Sequence, residues 1–253
     1  MDDIKVQVDG RVLILTISRP EKKNALTGAM YGALADALES AAERVNAILI
    51  QSDGDTFSAG SDLSEFSAEA IRDGIGKSRG ARFLRCLATM EIPVVAAVQG
   101  KAIGVGATML LHCDYVIVAN DAQFSAPFVD LALVPEAASS YLLPLRVGSI
   151  HAFEMIALGR SVDAQTAVEW GIANRSVPAD QLRAEAKAIA EVIAAKAPGA
   201  IRATKRLMSE RRRVIDQMNA EFDAIDKQLT GNECSEALAA FKEKRRPDFS
   251  KLQ

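Results

Sequence analysis

The sequence predicts an α/β fold that ends in a helical extension. Three segments, AILIQSD, PVVAAVQG and YVIVAND, are short and continuously apolar, which is typical of parallel strands buried on both faces. Helical patterns alternate with these strands over the first two thirds of the chain, and the pattern is helical almost to the end after Val177. We therefore predict one α/β core over residues 1–195 and a helical region over residues 196–253.

Local signals predict where several elements begin and end. The segments IKVQV and RVLILTI are separated by Asp9-Gly10, a dipeptide that favours a two-residue hairpin turn. Thr27 can cap a helix that runs to about Val45, and Asp163 can cap a second one that Gly171 stops. Pro198-Gly199 and Gly231-Asn232 are predicted to interrupt the C-terminal helices.

Composition and charge exclude several classes of protein. Lys and Arg number 30 and Asp and Glu 33, so the chain lacks the basic excess of a nucleic-acid-binding domain. Cys86, Cys113 and Cys234 match no zinc spacing and predict neither a metal site nor a disulfide framework. The segment MDDIKVQVDG lacks the apolar core of a signal peptide, and no apolar run is long enough to span a membrane. We expect a cytoplasmic protein without membrane or nucleic-acid partners.

Two glycine-containing loops follow predicted strands and could form a site from backbone atoms. FSAGSDLSEF follows AILIQSD, and GKAIGVGAT follows PVVAAVQG. Unpaired N–H groups from two such loops could converge on one oxygen and stabilise a developing negative charge. Each loop alone is better explained as a tight turn than as a site, and GVG lacks the full GxGxxG spacing of a dinucleotide site.

Four motifs in order resemble the crotonase (enoyl-CoA hydratase/isomerase) superfamily. They are FSAGSDLSEF, IPVVAAVQGKAIGVGATMLLHCDYVIVANDAQFSAP, ALGRSVDAQTAVEWGIANRSVP and AFKEKRRPDF. The resemblance implies a spiral of ββα units, with C-terminal helices that cover the coenzyme A pocket and join subunits into a homotrimer or a dimer of trimers. It also implies an acyl-CoA thioester as substrate, no tightly bound cofactor, and an enolate held by two backbone N–H groups.

The resemblance assigns roles to individual residues. The two N–H donors would belong to Ala59 and Val105. Asp62, although in the ligand-binding loop, is expected to hold that loop through local contacts. The substrate and coenzyme A would be bound by Lys22, Lys23, Ala25, Leu26, Ser58, Gly60, Ser61, Asp62, Leu63, Gly104, Phe128, Phe241 and Lys244. For the basic KEKRR segment near the C-terminus, a solvated helix face is an equally good interpretation.

The reaction depends on which acids surround the thioester. Hydratases of this family use two glutamates, and this chain has Thr108 and Phe128 in their positions. The segment VPEAASSYLLPLRVGSIHAFEMIALGR looks most like the peroxisomal-type 3-enoyl-CoA to 2-enoyl-CoA isomerase branch. In that branch the glutamate at the position of Glu136 is the catalytic base. One base suffices to shift a double bond, because the same acid can return the proton.

Other interpretations remain open at this stage. Glu136 could be an ordinary loop acid, and Asp130 is a second candidate base that is better explained as a loop residue. The chain could be an enoyl-CoA hydratase, another hydrolase on the same scaffold, or a non-catalytic acyl-CoA-binding protein. His112 is predicted to be a hydrogen-bonded interior residue, Cys113 a buried apolar one, and Asp114 a structural turn residue.

Overall fold

Nine strands form two sheets in the computed structural model, which describes residues 3–41, 45–65 and 73–251. The strands are β1 (Ile4–Asp9), β2 (Val12–Ile17), β3 (Ala47–Ser52), β4 (Val94–Val98), β5 (Lys101–Ile103), β6 (Tyr115–Ala119), β7 (Gln123–Ser125), β8 (Val162–Asp163) and β9 (Arg175–Val177). The larger sheet has the order β1-β2-β3-β4-β6-β9, and the smaller one the order β5-β7-β8. In the larger sheet only the β1–β2 pair is antiparallel.

Helices flank the sheets and make up most of the C-terminal third. They are α1 (Gly28–Glu39), α2 (Arg79–Thr89), α3 (Val105–Thr108), α4 (Ser139–Val147), α5 (Ser149–Ala157), α6 (Ala164–Glu169), α7 (Leu182–Ala194), α8 (Pro198–Met208), α9 (Arg211–Leu229) and α10 (Asn232–Lys242). A 3₁₀ turn, Met109–His112, continues α3. Among these described helices none is both long and apolar enough to cross a bilayer.

The parallel strands are buried on both faces, as their continuous apolar sequences predict. One face packs against apolar side chains of α1 and α2, including Leu34, Leu38 and Phe83. The opposite face packs against α7, which contributes Leu182 and a row of alanines spaced four residues apart. Small alanine side chains allow that helix to lie close to the sheet, so alternate residues of each strand enter two separate apolar clusters.

The predicted caps and turns are present, with one difference at the end of α1. Gly10 has a φ of 56° in the β1–β2 hairpin, and Thr27 accepts a hydrogen bond from the N–H of Met30. Asp163 caps α6 in the same way, through the N–H of Thr166 at 2.8 Å. The helix α1 ends at Glu39 rather than near Val45, with Ser40 as its C-cap.

Other features follow from contacts distant in sequence. The smaller sheet was not predicted, since its strands are only two or three residues long and carry no readable periodicity. Pro198 begins α8 as its first residue rather than only interrupting a helix. By its resemblance to relatives, the segment SEFSAEAIRDGIGKSRGARFLRCL is predicted to wall the acyl pocket, and its residues 66–72 lie outside the described residues.

Gly100 is a point of close backbone approach between β4 and the loop after β3. Its φ is 54°, and a Cβ atom there would lie 1.9 Å from the carbonyl oxygen of Asp55. Gly10 has a nearly identical φ of 56° but no atom within 4 Å of the same hypothetical Cβ. The two positions therefore separate backbone strain from steric overlap.

We predict that Gly100→Ala lowers the free energy of unfolding by about 2–4 kcal/mol, since strain and overlap add at this position. Gly10→Ala, the matched control, should lose only about 1–2 kcal/mol, because it carries the strain alone. Urea denaturation of both variants measures the difference. Equal losses would show that the Asp55 backbone can move aside.

Candidate active site

The two glycine-containing loops are joined to one another along their main chains. Ser58 forms a parallel bridge with Ala102 of β5. The N–H of Ser58 donates to the carbonyl of Lys101 at 3.1 Å, and the N–H of Ile103 donates to the carbonyl of Ser58 at 2.9 Å. The loop after β3 and the entrance to α3 are therefore held side by side by backbone hydrogen bonds.

Glycine at two positions makes this contact possible. A Cβ atom on Gly60 would lie 2.9 Å from the carbonyl oxygen of Ile103. A Cβ atom on Gly106 would lie 2.8 Å from the carbonyl oxygen of Ser58 and 2.9 Å from its side chain. Both distances are shorter than van der Waals contact, so the loops could not approach this closely with larger residues.

The structure corrects the assignment of Ala59 as an N–H donor to a ligand. The N–H of Ala59 already donates to the carbonyl of Lys23 at 2.9 Å. Ser61 forms a parallel bridge with Leu26, in which the carbonyl of Gly60 accepts the N–H of Leu26 and the N–H of Asp62 donates to the carbonyl of Leu26. In such a bridge the N–H of Ser61 itself points away from Leu26. Within the described residues it has no hydrogen-bond partner. Gly60, with a φ of 94°, reverses the backbone between the two positions.

Val105 begins α3, and its N–H is unpaired among the described residues. Gly104 precedes it with a φ of 55° and a ψ of −122°, and its carbonyl accepts the N–H groups of Ala107 and Thr108. The first N–H of a helix has no partner inside that helix. Gly60 packs directly against this entrance, so the free N–H groups of Ser61 and Val105 belong to adjacent backbones.

Glu136 is half-buried, and its surroundings favour the protonated acid. Burial, and after it the carboxylate of Glu221, raise the pKa of Glu136 to about 7. Burial, and after it the charge of Glu136, also raise the pKa of the Tyr31 phenol well above its usual range. The Tyr31 hydroxyl lies 2.7 Å from the hydroxyl of Ser61, so the phenol whose pKa responds to the charge of Glu136 is bound to the loop with the free N–H. A side chain that is both accessible and deep in the protein is typical of a cavity wall.

The turn after Glu136 has a strained backbone, and hydrogen bonds to its carbonyl groups hold it in place. Ala137 and Ala138 have φ values of 61° and 53°, a conformation that costs roughly 1–2 kcal/mol for each alanine. The N–H and the hydroxyl of Ser139 donate to the carbonyl of Glu136 at 3.0 and 2.5 Å. His112 lies 2.8 Å from the carbonyl of Ala137, and burial lowers its pKa to about 4. The ring is therefore neutral and donates through Nε2, as predicted for an interior histidine.

Glu221 of α9 is a buried acid that sequence reasoning missed. Its side chain is only 4% exposed, and its carboxylate binds the backbone immediately after Glu136. One signal in the sequence could have revealed it. Glu221 lies on the apolar stripe of α9 between Met218 and Phe222, where a charged residue needs a specific partner.

Several residues assigned to ligand binding have structural contacts instead. Leu26 is 1% exposed and belongs to the core, so its side chain cannot line a channel. Ser58 is fully buried, and its hydroxyl joins Asn24 to Gly60. Asp62 holds its own loop as predicted, since contacts with Ser64 and with an arginine lower its pKa to about 2.

Apart from the buried Gly60, the remaining predicted residues keep surface that a ligand could reach, and their roles stay predictions. Lys22 is exposed, and Lys23 forms an exposed ion pair with Asp55 at 2.8 Å. Phe241 is 59% exposed on α10, and Lys244 is exposed just after that helix. The others, Ala25, Leu63 and Phe128, are partly buried.

Thr108 and Asp130 complete the set of candidate polar groups. Thr108 is 3% exposed, and its hydroxyl has no hydrogen-bond partner in the described part of the chain. Asp130 is exposed, in agreement with a loop acid rather than a buried base. Asp114 has the expected structural role, because it accepts the N–H of Val94 and pairs with Lys205 at 2.6 Å.

Two cavities lie on the surface near α8 and α9, with volumes of about 590 and 550 Å³. The first is bounded by residues of α8, α9 and the segment between them, and the second is bounded as well by residues of α2, α4 and the Met109–His112 turn. The second also reaches His112 and Tyr141. Neither has Glu136, Ser61 or Val105 in its wall, so the candidate site is defined by its contacts and burial.

The chain belongs to the enoyl-CoA hydratase/isomerase family. The family model matches residues 7–252, nearly the whole sequence. A solved enoyl-CoA hydratase/isomerase from Pseudoalteromonas atlantica superimposes with a TM-score of 0.93 and 44% identity, over 98% of this chain and 100% of that one. The crotonase fold predicted from the motifs is therefore confirmed, as is membership of a family of acyl-CoA enzymes.

Relatives within the family are named for different reactions. The 2,3-dehydroadipyl-CoA hydratase of Escherichia coli is 31% identical, with 98% of this chain and 99% of that protein covered. The enoyl-CoA delta isomerase 2 of Rattus norvegicus is 30% identical over 94% of this chain and 63% of its own length. Similarity alone thus supports the family but leaves the reaction to be argued from the site.

The raised pKa of Glu136 predicts a pH-dependent effect of Glu136→Gln on stability. A carboxyl group with a raised folded-state pKa destabilises the folded state as it ionises. The loss of stability grows from the unfolded-state pKa up to about pH 7 and stays at its full value above that. Glutamine removes that penalty. The free energy of unfolding of the variant, measured relative to that of wild type, should therefore increase by about 2 kcal/mol from pH ~5 to pH ~8.

Chemical denaturation at the two pH values measures this gain. Asp130→Asn, which replaces an exposed carboxylate on the neighbouring loop, is the control for loss of a surface charge. A Glu136→Gln difference that stays constant with pH would mean that Glu136 ionises as freely in the fold as in the unfolded chain.

Proposed function

We propose that this protein is an isomerase that converts 3-enoyl-CoA to 2-enoyl-CoA, with Glu136 as its only proton carrier. The observation that carries the proposal is the half-buried Glu136 carboxyl, whose pKa is raised to about 7 and whose charge raises the pKa of Tyr31, the hydrogen-bond partner of Ser61. The N–H groups of Ser61 and Val105 are the proposed donors to the thioester oxygen. Both are free among the described residues and lie on adjacent backbones.

The proposed reaction moves one proton and one double bond. The Glu136 carboxylate removes a proton from C2, and the electron pair of that C–H bond enters the conjugated system. The C3–C4 double bond and the carbonyl become a dienolate, whose negative oxygen accepts the two N–H groups. Glu136, now protonated, gives the proton to C4, and the double bond forms between C2 and C3. No other reactant is consumed.

The pKa of Glu136 suits a group that must act as both base and acid. Near pH 7 the carboxylate is populated enough to accept a proton, and the acid is strong enough to return it. An exposed glutamate would remain ionised and would be a weaker base. The burial that raises its pKa thus serves both halves of the proposed cycle.

Two neighbouring positions favour isomerisation over hydration. Water addition needs one group to activate water and another to deliver a proton to the α-carbon. The resemblance of the motifs places Thr108 and Phe128 where the family's hydratases carry glutamates. A threonine hydroxyl is a poor base, and the partly buried Phe128 packs with the core and offers no acid.

Glu136→Gln should reduce kcat for 3-enoyl-CoA isomerisation by about 10²–10⁴-fold, since it removes the proton carrier. Acyl-CoA affinity should change little, because glutamine has nearly the same size. Asp130→Asn, the exposed second candidate, should retain activity and is the matched control. Steady-state assays and titration calorimetry with a saturated acyl-CoA separate the two effects. Full activity in Glu136→Gln would show that Glu136 is not the proton carrier.

A parallel assay with 2-enoyl-CoA distinguishes the competing reactions. We expect the wild type to add water to that substrate much more slowly than it isomerises 3-enoyl-CoA of matched chain length. Hydration at a comparable or greater rate would identify a hydratase. Tight thioester binding without turnover of either substrate would identify a non-catalytic acyl-CoA-binding protein.

A further inference from the structure

The carboxylate of Glu221 binds the backbone of the turn that follows Glu136. It accepts the N–H of Ala138 at 2.6 Å and the N–H of Ser140 at 3.0 Å, and the Ser140 hydroxyl also donates to it. Gln217, one turn earlier on α9, donates to that same hydroxyl at 2.9 Å. The turn is therefore attached to α9 through a cluster of hydrogen bonds.

Glu221 caps the N-terminus of α4, although it lies in a distant part of the sequence. The residue before α4 is Ala138, whose methyl side chain has no polar atom to cap the helix. The first N–H groups of a helix need acceptors and favour a negative charge. Glu221, more than 80 residues away in sequence, supplies both the acceptor and the charge.

Two features show that the contact is specific to the shape of the turn. Ala137 and Ala138 both hold left-handed backbone conformations, which alanine rarely adopts without support. His112 holds the carbonyl of Ala137 on one side, and Glu221 holds the N–H of Ala138 on the other. These contacts set the direction in which the turn presents Glu136.

We propose, on the basis of the function above, that Glu221 is a positioning residue for Glu136. It fixes the turn after Glu136 by binding the N–H groups of Ala138 and Ser140, and it places a second carboxylate beside the proton carrier. The mechanism assigns it no contact with substrate. Its effect on the reaction passes through Glu136.

The charged and titratable groups around this pair have other partners. Arg85 of α2 lies over the ring of Phe222 and bonds Gly76 and Asn219. Further groups on the packed elements are bound as well, namely Asp226 to the N–H of Ile75, Tyr141 to Glu210, Tyr31 to Ser61 and His112 to Ala137. Within the described chain, no ion pair therefore neutralises Glu221. Burial raises the pKa of Glu221 to about 7, and its ionised form raises the pKa of Glu136 in turn.

The test uses Glu221→Gln, which keeps the shape and removes the charge, and Glu221→Ala, which removes the acceptor. Both should lower kcat for 3-enoyl-CoA with little change in KM. The kcat of Glu221→Ala should fall by at least about tenfold. A 1 Å misplacement of a reacting group can cost roughly a hundredfold in rate, and we expect a smaller displacement of Glu136. Asp223→Asn, an exposed acid two residues away on the same helix, should keep wild-type kcat.

The pH profile separates positioning from a merely structural role. Loss of the Glu221 charge removes a repulsion that raises the pKa of Glu136. The acid limb of kcat/KM should therefore move to lower pH in Glu221→Gln. A structural defect alone would reduce activity without moving that limb. If Glu221→Ala does not fold, Ser140→Ala tests the same attachment and should lower kcat by a smaller factor.

A carbon-13 NMR titration of labelled glutamate provides a readout that needs no turnover. The Glu136 carboxyl signal is identified by its absence in Glu136→Gln, and it should titrate at lower pH in Glu221→Gln than in wild type. Wild type without isomerase activity would refute the proposed function, and this titration would still test the contact. A folded Glu221→Gln with unchanged kcat and an unchanged Glu136 titration would overturn the positioning role.

Discussion

Two stretches of main chain, residues 55–61 and 100–106, touch without side chains between them at three points. At Gly60, Gly100 and Gly106 a Cβ atom would lie within 3 Å of a backbone oxygen on the facing segment. Backbone N–H groups can stabilise a developing charge only if they are already aimed when the charge forms. Close contact between the two segments fixes the direction of these N–H groups, because neither segment can rotate without losing its hydrogen bonds to the other.

The candidate base is placed by a second set of contacts, each with a different kind of group. A serine at the start of α4 holds the carbonyl of Glu136, a neutral histidine holds the carbonyl of Ala137, and a carboxylate holds the N–H of Ala138. Each residue of the strained turn thus has its own support. The hydrogen bonds to Glu221 offset only part of the cost of burying it, since its pKa is still raised to about 7, and no side-chain hydrogen bond to Glu136 occurs among the described residues. Both carboxyl groups therefore change protonation state near pH 7, and the charge of Glu221 disfavours ionisation of Glu136.

Local patterns predicted much of the fold, and long-range contacts account for what they missed. Apolar strand sequences, the caps at Thr27 and Asp163 and the turn at Gly10 depend on neighbouring residues, and all are present. Whether Ala59 or Ser61 offers a free N–H depends on the φ of Gly60, which the motif SAGSD does not specify. The residue at position 221 approaches Glu136 only after α9 packs against α4, although an acid on an apolar stripe was a detectable signal.

The number of carboxyl groups near the thioester limits what the site can do. Isomerisation uses one group in two protonation states in succession, and a pKa near 7 makes both states accessible. Hydration needs two groups in complementary protonation states at the same moment. The hydroxyl of Thr108, buried and unpaired among the described residues, could bind a water molecule but could not deprotonate it. In the proposed mechanism Glu136 is the one proton carrier, so a Glu136 that activated such a water would be unavailable to deliver a proton to the α-carbon in the same step.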